Sequence, residues 1–310
     1  MKTYLILIFI LPLYFIGCSD LNKKKTGNKT NKIPFSWNKD GLEKNAYIFY
    51  VPIRLEGVEK QFKMQFDLGL NVNVIYENPL NTILQKYPIL KKDKINRIDY
   101  SVFSHKLYMN ELPSNVDSLF IYKDYGSSLT FDSLENIGSI GANEILGKIL
   151  ILDFPNKELE ILDTFKDTSK YNFSNLRITD KNKLIISINI ENENYDFLFD
   201  TGNGVPIVTT NMKLYNILSE KSKELKDTLR ENSWGEIIEL TGSKIQYPLR
   251  IGNQIINTTN AELVYYTNAN RIVDFMKDIN VHGGLGLQFF IDKKIVIDLK
   301  ENRFGVEKID

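Results

Sequence analysis

Two short stretches of this 310-residue chain repeat one local pattern, Phe66-Asp67-Leu68-Gly69 and Phe199-Asp200-Thr201-Gly202. Each sets an aspartate and a glycine directly behind an apolar, strand-like run. A shift of 133 residues lays Ile53 on Ile186, Leu55 on Ile188, Met64 on Phe197, Phe66 on Phe199, Asp67 on Asp200, Gly69 on Gly202 and Ile75 on Val208. A second shift, of 145 residues, lays Ile140-Gly141 on Leu285-Gly286, the run Leu150 to Phe154 on Ile295 to Leu299, and Leu159 on Phe304. The parts come in the same order in both halves, with about a dozen residues of length difference, as an internal duplication requires. Two related halves that each offer one aspartate point to a site shared between them.

The rest of the pattern favours strands. Tyr (16) and Phe (18) are abundant beside many Ile, Leu and Asn, the composition of strands joined by polar turns. Apolar and polar residues alternate in Leu184–Ile190 and in Lys244–Ile251. Helical periodicity is scarce: Met212 to Leu229, carrying Leu214, Ile217, Leu218 and Leu225, is the best candidate, with a shorter one from Asn78 to Gln85. The interruption at Asp163–Ser174 marks the boundary between halves. A body of about 270 residues suffices for one large domain or two smaller ones.

Each half resembles one lobe of a pepsin-type or retroviral-type aspartic protease. The resemblance rests on the apolar strand entering Asp-x-Gly, followed downstream by Gly138-Ser139-Ile140-Gly141 in one half and Gly284-Leu285-Gly286-Leu287 in the other. It covers roughly residues 46 to 308. It implies an all-β fold of two homologous lobes with a few short helices, an N-terminal lobe at 41–165 and a C-terminal lobe at 170–310. It also implies a peptide or protein bound in extended form in the cleft between lobes, an arrangement related to strand pairing at an exposed edge.

The chemistry expected of such a pair needs no metal and no cofactor. Two carboxyls close enough to share a proton cannot both ionise easily, so one acts as base toward a water while the other acts as acid. Asp67 and Asp200 are the candidates, with Gly69, Thr201, Gly202 and Asn203 shaping their turns. The pair titrates as a unit. Where the family carries a hydroxyl after the first aspartate this chain has Leu68, and Leu70 stands after the glycine. Leu68 removes a hydrogen bond between the turns, and the two leucines dry the site, which favours a neutral carboxyl. An exported peptidase and a non-catalytic cell-envelope protein that holds a peptide or other extended ligand both fit. Tyr100 and Tyr108 lie in the region where the pepsin-type family carries a lid tyrosine.

Other candidates carry less. His105 and His282 are the only histidines and supply no zinc cluster, and no Gly-x-Ser-x-Gly occurs. Asp153 and Asp298 match under the second shift but sit within apolar strands, where solvent-facing or hairpin-pairing roles are expected. With 39 basic and 39 acidic residues, nothing points to a nucleic-acid surface.

The start of the chain indicates export. Met1-Lys2, the apolar run from Tyr4 to Ile16 and then Gly17-Cys18 read as a signal peptide, residues 1–17, too short to span a bilayer. The ending Phe15-Ile16-Gly17-Cys18 resembles a bacterial lipoprotein processing box, which makes Cys18 the lipidated first residue and the membrane anchor; an ordinary signal peptide with an incidental cysteine is the alternative. Cys18 is the only cysteine, so no intrachain disulfide forms. Residues 18–40, rich in Lys, Asn and Thr, read as a flexible tether. Both lobes lie in one chain, so a monomer is expected.

Overall fold

The computed structural model describes residues 32–38, 47–204, 207–209, 212–224, 228–233, 236–257 and 263–308. The signal segment 1–17, Cys18 and most of the tether lie outside them. No helix among the described residues is long and apolar enough to cross a membrane.

Strands β1 (Lys32–Pro34) and β2 (Ser36–Trp37) open the first lobe, followed by β3 (Phe49–Leu55) and β4 (Gln61–Phe66). Phe49, Val51, Ile53 and Leu55 of β3 and Phe62, Met64 and Phe66 of β4 are all buried, so the period of two sends every second side chain into one core. The chain continues through β5 (Val74–Tyr76), helix α1 (Glu77–Lys86), β6 (Lys94–Asn96) and β7 (Ser101–Phe103). It then forms β8 (Leu107–Met109), β9 (Leu112–Pro113), β10 (Leu119–Tyr122) and β11 (Asn136–Ile140). Strand β11 threads between β4 and β5, parallel to the first and antiparallel to the second, while β10 runs parallel to β5. The hairpin of β12 (Ile149–Asp153) and β13 (Glu158–Leu162) leaves this sheet.

The second lobe repeats the plan. Strand β14 (Tyr171–Ile178) leads into β15 (Leu184–Ile190) and β16 (Glu193–Phe199). The turn between β15 and β16 has positive φ at Glu191 (49°) and Asn192 (68°), as a tight hairpin requires. Then come β17 (Ile207–Thr209), α2 (Met212–Leu218), β18 (Ser219–Glu224), β19 (Leu229–Ser233) and β20 (Glu236–Ile245). Strands β21 (Arg250–Ile251), β22 (Gln254–Ile255) and β23 (Leu263–Tyr266) precede helix α3 (Asn270–Asp278). Strand β24 (Gly283–Leu285) lies parallel to β16 and antiparallel to β17, and β23 runs parallel to β17. The last hairpin is β25 (Lys294–Asp298) with β26 (Arg303–Glu307).

Register ties the halves residue by residue. Phe66 faces Ile140 and Phe199 faces Leu285; Leu152 faces Leu159 and Ile297 faces Phe304. Strands β12 and β25 pair antiparallel, with Ile151 directly opposite Val296, its own counterpart. A self-complementary contact of this kind is isologous, so an approximate two-fold axis passes through that pair. Strand β1 flanks β13 and β14 flanks β26 in the same sheet. The protein is all-β, in two lobes of one plan with a few short helices.

Five expectations are corrected in detail. The tether does not extend to residue 40: Ile33 and Phe35 are buried and Lys32–Trp37 is strand, because Ile33, Phe35 and Trp37 alternate with polar or small neighbours. Tyr171–Ser174, read as part of the boundary, begins β14. Helix α2 stops at Leu218, since Ser219 to Glu224 has no apolar face to bury and pairs instead with β20; Leu225 lies outside the described residues. The run Lys244–Ile251 breaks after Ile245, where Pro248 has no N–H to give a ladder. Val208 pairs as Val74 does, one residue out of step with Ile75, because the second loop is one residue longer. Helix α3 was not expected, although Ile272, Met276 and Ile279 fall on one face.

Candidate active site

Two buried phenylalanines fix where the aspartates emerge. The ring of Phe66 stacks on Phe49 at 5.5 Å, and that of Phe199 meets Phe304 at 5.1 Å and Phe290 at 5.8 Å. Directly after each, the chain leaves its strand with equivalent bonds: Asp67 N–H donates to the Ile140 carbonyl (2.8 Å) and Asp200 N–H to that of Leu285 (3.1 Å). Leu70 N–H closes the first turn on the Asp67 carbonyl (3.1 Å), and Asn203 N–H closes the second on that of Asp200 (3.2 Å). Each carboxylate also accepts from the amide two residues on, Gly69 to Asp67 at 3.0 Å and Gly202 to Asp200 at 2.8 Å, the bond typical of aspartate turns.

The two turns meet, and the carboxyls of Asp67 and Asp200 are hydrogen-bonded to each other. Glycine makes this contact possible: a Cβ on Gly69 would stand 2.3 Å from Cγ of Asp200, and one on Gly202 2.5 Å from Cγ of Asp67. Asp67 is buried and Asp200 partly exposed, so the pair is open to solvent from one side.

A single hydroxyl ties the turns together. Thr201 Oγ1 donates to the Phe66 carbonyl (2.7 Å) and accepts from Leu68 N–H (2.8 Å), all of it buried. The first turn offers no equivalent, since Leu68 sends a fully buried side chain into the core. Asn203 contributes backbone, its carbonyl accepting from Leu287 N–H (3.4 Å) as the Leu70 carbonyl accepts from Ala142 N–H (2.9 Å).

Burial pushes both carboxyls above the ordinary range. For Asp67 the charge and hydrogen bond of Asp200 add to burial, and it ends well above the usual carboxylate value. For Asp200 burial leads, and the Gly202 amide and the Lys183 ammonium offset part of it. A pair biased this way holds one proton over a range where free aspartates hold none.

Two participants were not foreseen. Lys183, at the start of the β14–β15 approach, donates from Nζ to the Gly69 carbonyl; nothing in the polar run Asp180 to Lys183 sets it apart from a solvated turn. Glu144, fully buried, accepts from Asn73 Nδ2 (2.8 Å), Ser114 Oγ (2.7 Å) and Asn115 N–H (2.7 Å), while Asn73 Oδ1 accepts from Gly141 N–H (2.8 Å). This network braces the first aspartate loop against β11.

The remaining candidates have structural partners. Asp298 receives Arg303 at 2.8 Å and the amides of Lys300 and Glu301 at 3.1 Å; Asp153 binds Lys294 at 2.8 Å and Asn156. Both close their hairpins, and both are buried rather than solvent-facing. His105 bridges Asp93 (2.9 Å) and the Glu56 carbonyl (2.8 Å), and His282 Nδ1 accepts from Asp196 N–H (3.1 Å). Tyr108 lies under the Arg54 guanidinium (4.2 Å) and bonds Glu56 on the outside of β3. Tyr100 stacks on Phe120 at 5.4 Å from the β6–β7 turn, in which Ile98 is fully exposed.

No protein-family model matches the chain, and no curated protein matches it in sequence. Among solved structures it is similar to conglutin gamma, a basic 7S globulin from lupine seeds, at 8% identity over 90% of this chain and 95% of that one, with a TM-score of 0.48.

Proposed function

We propose that the protein is an aspartic-type peptidase that hydrolyses peptide bonds with Asp67, Asp200 and an activated water. The observation that carries this reading is the hydrogen bond between two carboxyls from turns far apart in sequence, both held toward their neutral form by burial. The ionised member takes a proton from water as its oxygen attacks the peptide carbonyl, and the protonated member gives its proton to the carbonyl oxygen. Collapse of the tetrahedral species returns a proton to the leaving amine and regenerates the shared-proton pair. Peptide and water become one carboxyl and one amine, with no metal or cofactor consumed. An extended peptide crossing between the lobes is the substrate class.

The test is cleavage of mixed peptides from acid to neutral pH by protein lacking residues 1–18. Loss of turnover by about 10²-fold or more in both Asp67→Asn and Asp200→Asn supports the reading. Leu68, which leaves the hydroxyl tie one-sided, favours a second reading: a cell-envelope protein that binds an extended ligand without cutting it. Saturable peptide binding with no turnover at any pH would select that one. Export and lipidation at Cys18 belong to the proposal on the sequence of residues 1–18, and fatty-acid labelling that survives Cys18→Ala would remove the anchor from it.

A further inference from the structure

Among the described residues, a cation stands beside the carboxyl pair on the side of the first aspartate turn. Among the described residues, the first half meets the second aspartate loop where Tyr47 N–H donates to the Gly204 carbonyl at 3.2 Å. The second half approaches the first loop through side chains of the β14–β15 turn. Asn182 Nδ2 reaches the Asn71 carbonyl at 3.4 Å, and Lys183 Nζ donates to the carbonyl of Gly69, the residue whose Cα lies against the carboxyl of Asp200. Among the described residues, this ammonium is the cation that touches the aspartate turns.

This lysine is held rather than loosely solvated. Lys183 N–H donates to Thr179 Oγ1 and its carbonyl accepts from Thr179 N–H, both at 3.0 Å, while Asn182, at φ +56°, donates its N–H to the Thr179 carbonyl at 2.9 Å. On the other side the ammonium lies 5.6 Å from the ring of Phe275 on α3, a face that attracts a cation and shields it from water. The charged groups acting on it are Asp200 and Asp67 from the two turns and Lys181 from its own hairpin. Asp67 in turn faces Tyr76, whose hydroxyl is bonded to Ser139 at 2.8 Å.

We propose that Lys183 is a positioning residue for the Asp67–Asp200 pair: its ammonium anchors the first aspartate turn through the Gly69 carbonyl and supplies the charge that keeps one carboxyl ionised. This rests on the peptidase reading. The need for such a charge follows from the site's dryness. Burial with Leu68 beneath it drives both carboxyls toward the neutral form, and a doubly protonated pair has an acid but no base. A fixed cation favours the singly ionised state. Burial lowers the lysine's own affinity for a proton, and the two aspartates act to restore it, so the three groups titrate together.

The sign is fixed by the charge. A neighbouring cation lowers both apparent ionisations of the pair, so removing it raises both, and the bell of kcat/KM against pH moves to higher pH. Lys183→Met keeps the stem and removes the charge; the expected shift is about one pH unit, equivalent to about tenfold lower kcat/KM on the acid limb. Lys183→Arg retains the charge and returns the profile toward that of the wild type. A structural role alone would change melting temperature without moving the limbs.

A second readout needs no turnover. Carbon-13 titration of the aspartate carboxyls, assigned with Asp67→Asn and Asp200→Asn, should show the pair's steps displaced upward in Lys183→Met and restored in Lys183→Arg. Superimposable titrations in wild type and Lys183→Met overturn the proposal. Displaced titrations in a protein that cleaves no peptide uphold the coupling of Lys183 to the pair and reject the peptidase reading instead. If Lys183→Met does not fold, Lys183→Gln carries the same titration.

Discussion

Gly69 lies against the carboxyl of Asp200, at a distance that leaves no room for a Cβ, and Gly202 stands in the same relation to Asp67. The reciprocal contact lets each turn press its backbone against the other's aspartate. Gly69→Ala or Gly202→Ala should therefore wedge the carboxyls apart. Overpacking of this kind costs about 1–3 kcal/mol, while on the proposed peptidase reading loss of proton sharing should reduce peptide cleavage by about 10²-fold. Kinetics together with urea denaturation separate the two effects, and an Ala variant with wild-type turnover would contradict the shared-proton arrangement.

The Thr201 hydroxyl ties the second turn to the backbone of the first. Thr201→Val keeps the shape but leaves the Phe66 carbonyl and the Leu68 N–H, both buried, without their partner. At about 1–3 kcal/mol for each unsatisfied group, stability should fall by roughly 2–6 kcal/mol. Thr201→Ser keeps the hydroxyl and should recover most of it. Equal denaturation midpoints for the Val and Ser variants would show that the hydroxyl does not hold the turns.

Much of this arrangement was legible in the sequence because a repeated pattern shows in the residues that pack. Phe66 and Phe199, Ile140 and Leu285, Leu159 and Phe304 are core positions whose character survives in both halves, and the pairing registers match the two sequence shifts. What was hidden depends on side chains reaching across sequence. Lys183 looks like any turn lysine until the Gly69 carbonyl is found at its tip, and Glu144 looks like a surface acid until Asn73, Ser114 and Asn115 surround it. Helix α2 is shorter than its leucine spacing suggests, because that spacing says nothing about whether a neighbouring sheet edge claims the next residues.

Stability should depend on pH through Asp67 in a direction opposite to that of a salt-bridged acid. Its folded-state proton affinity is raised by burial and by Asp200, so above the ordinary aspartate range the folded protein binds more protons than the unfolded chain. Stability from this group is full at acid pH and declines as pH rises toward the folded ionisation. Asp67→Asn removes the penalty while keeping the shape. Its melting temperature relative to wild type should rise between pH 4 and pH 7, by roughly 2–4 °C for each 1 kcal/mol relieved. A constant difference across that range would mean that the carboxyl ionises as freely folded as unfolded.

The segment before the first lobe tests where the fold begins. Ile33 is fully buried and Phe35 nearly so, with the Phe35 ring 4.5 Å from Phe49 and its N–H on the Lys157 carbonyl at 2.9 Å. Strand β1 also pairs with β13 and forms the edge of the sheet that joins the halves. A flexible tether would make none of these contacts. Burial of each large apolar side chain contributes about 1.5–3 kcal/mol, so a chain beginning at residue 38 should be less stable than one beginning at residue 19 by about 3–6 kcal/mol. A chain beginning at residue 32 should match the longer one. Urea denaturation of the three chains reads this directly, and loss of stability already at residue 32 would move the start of the fold further upstream.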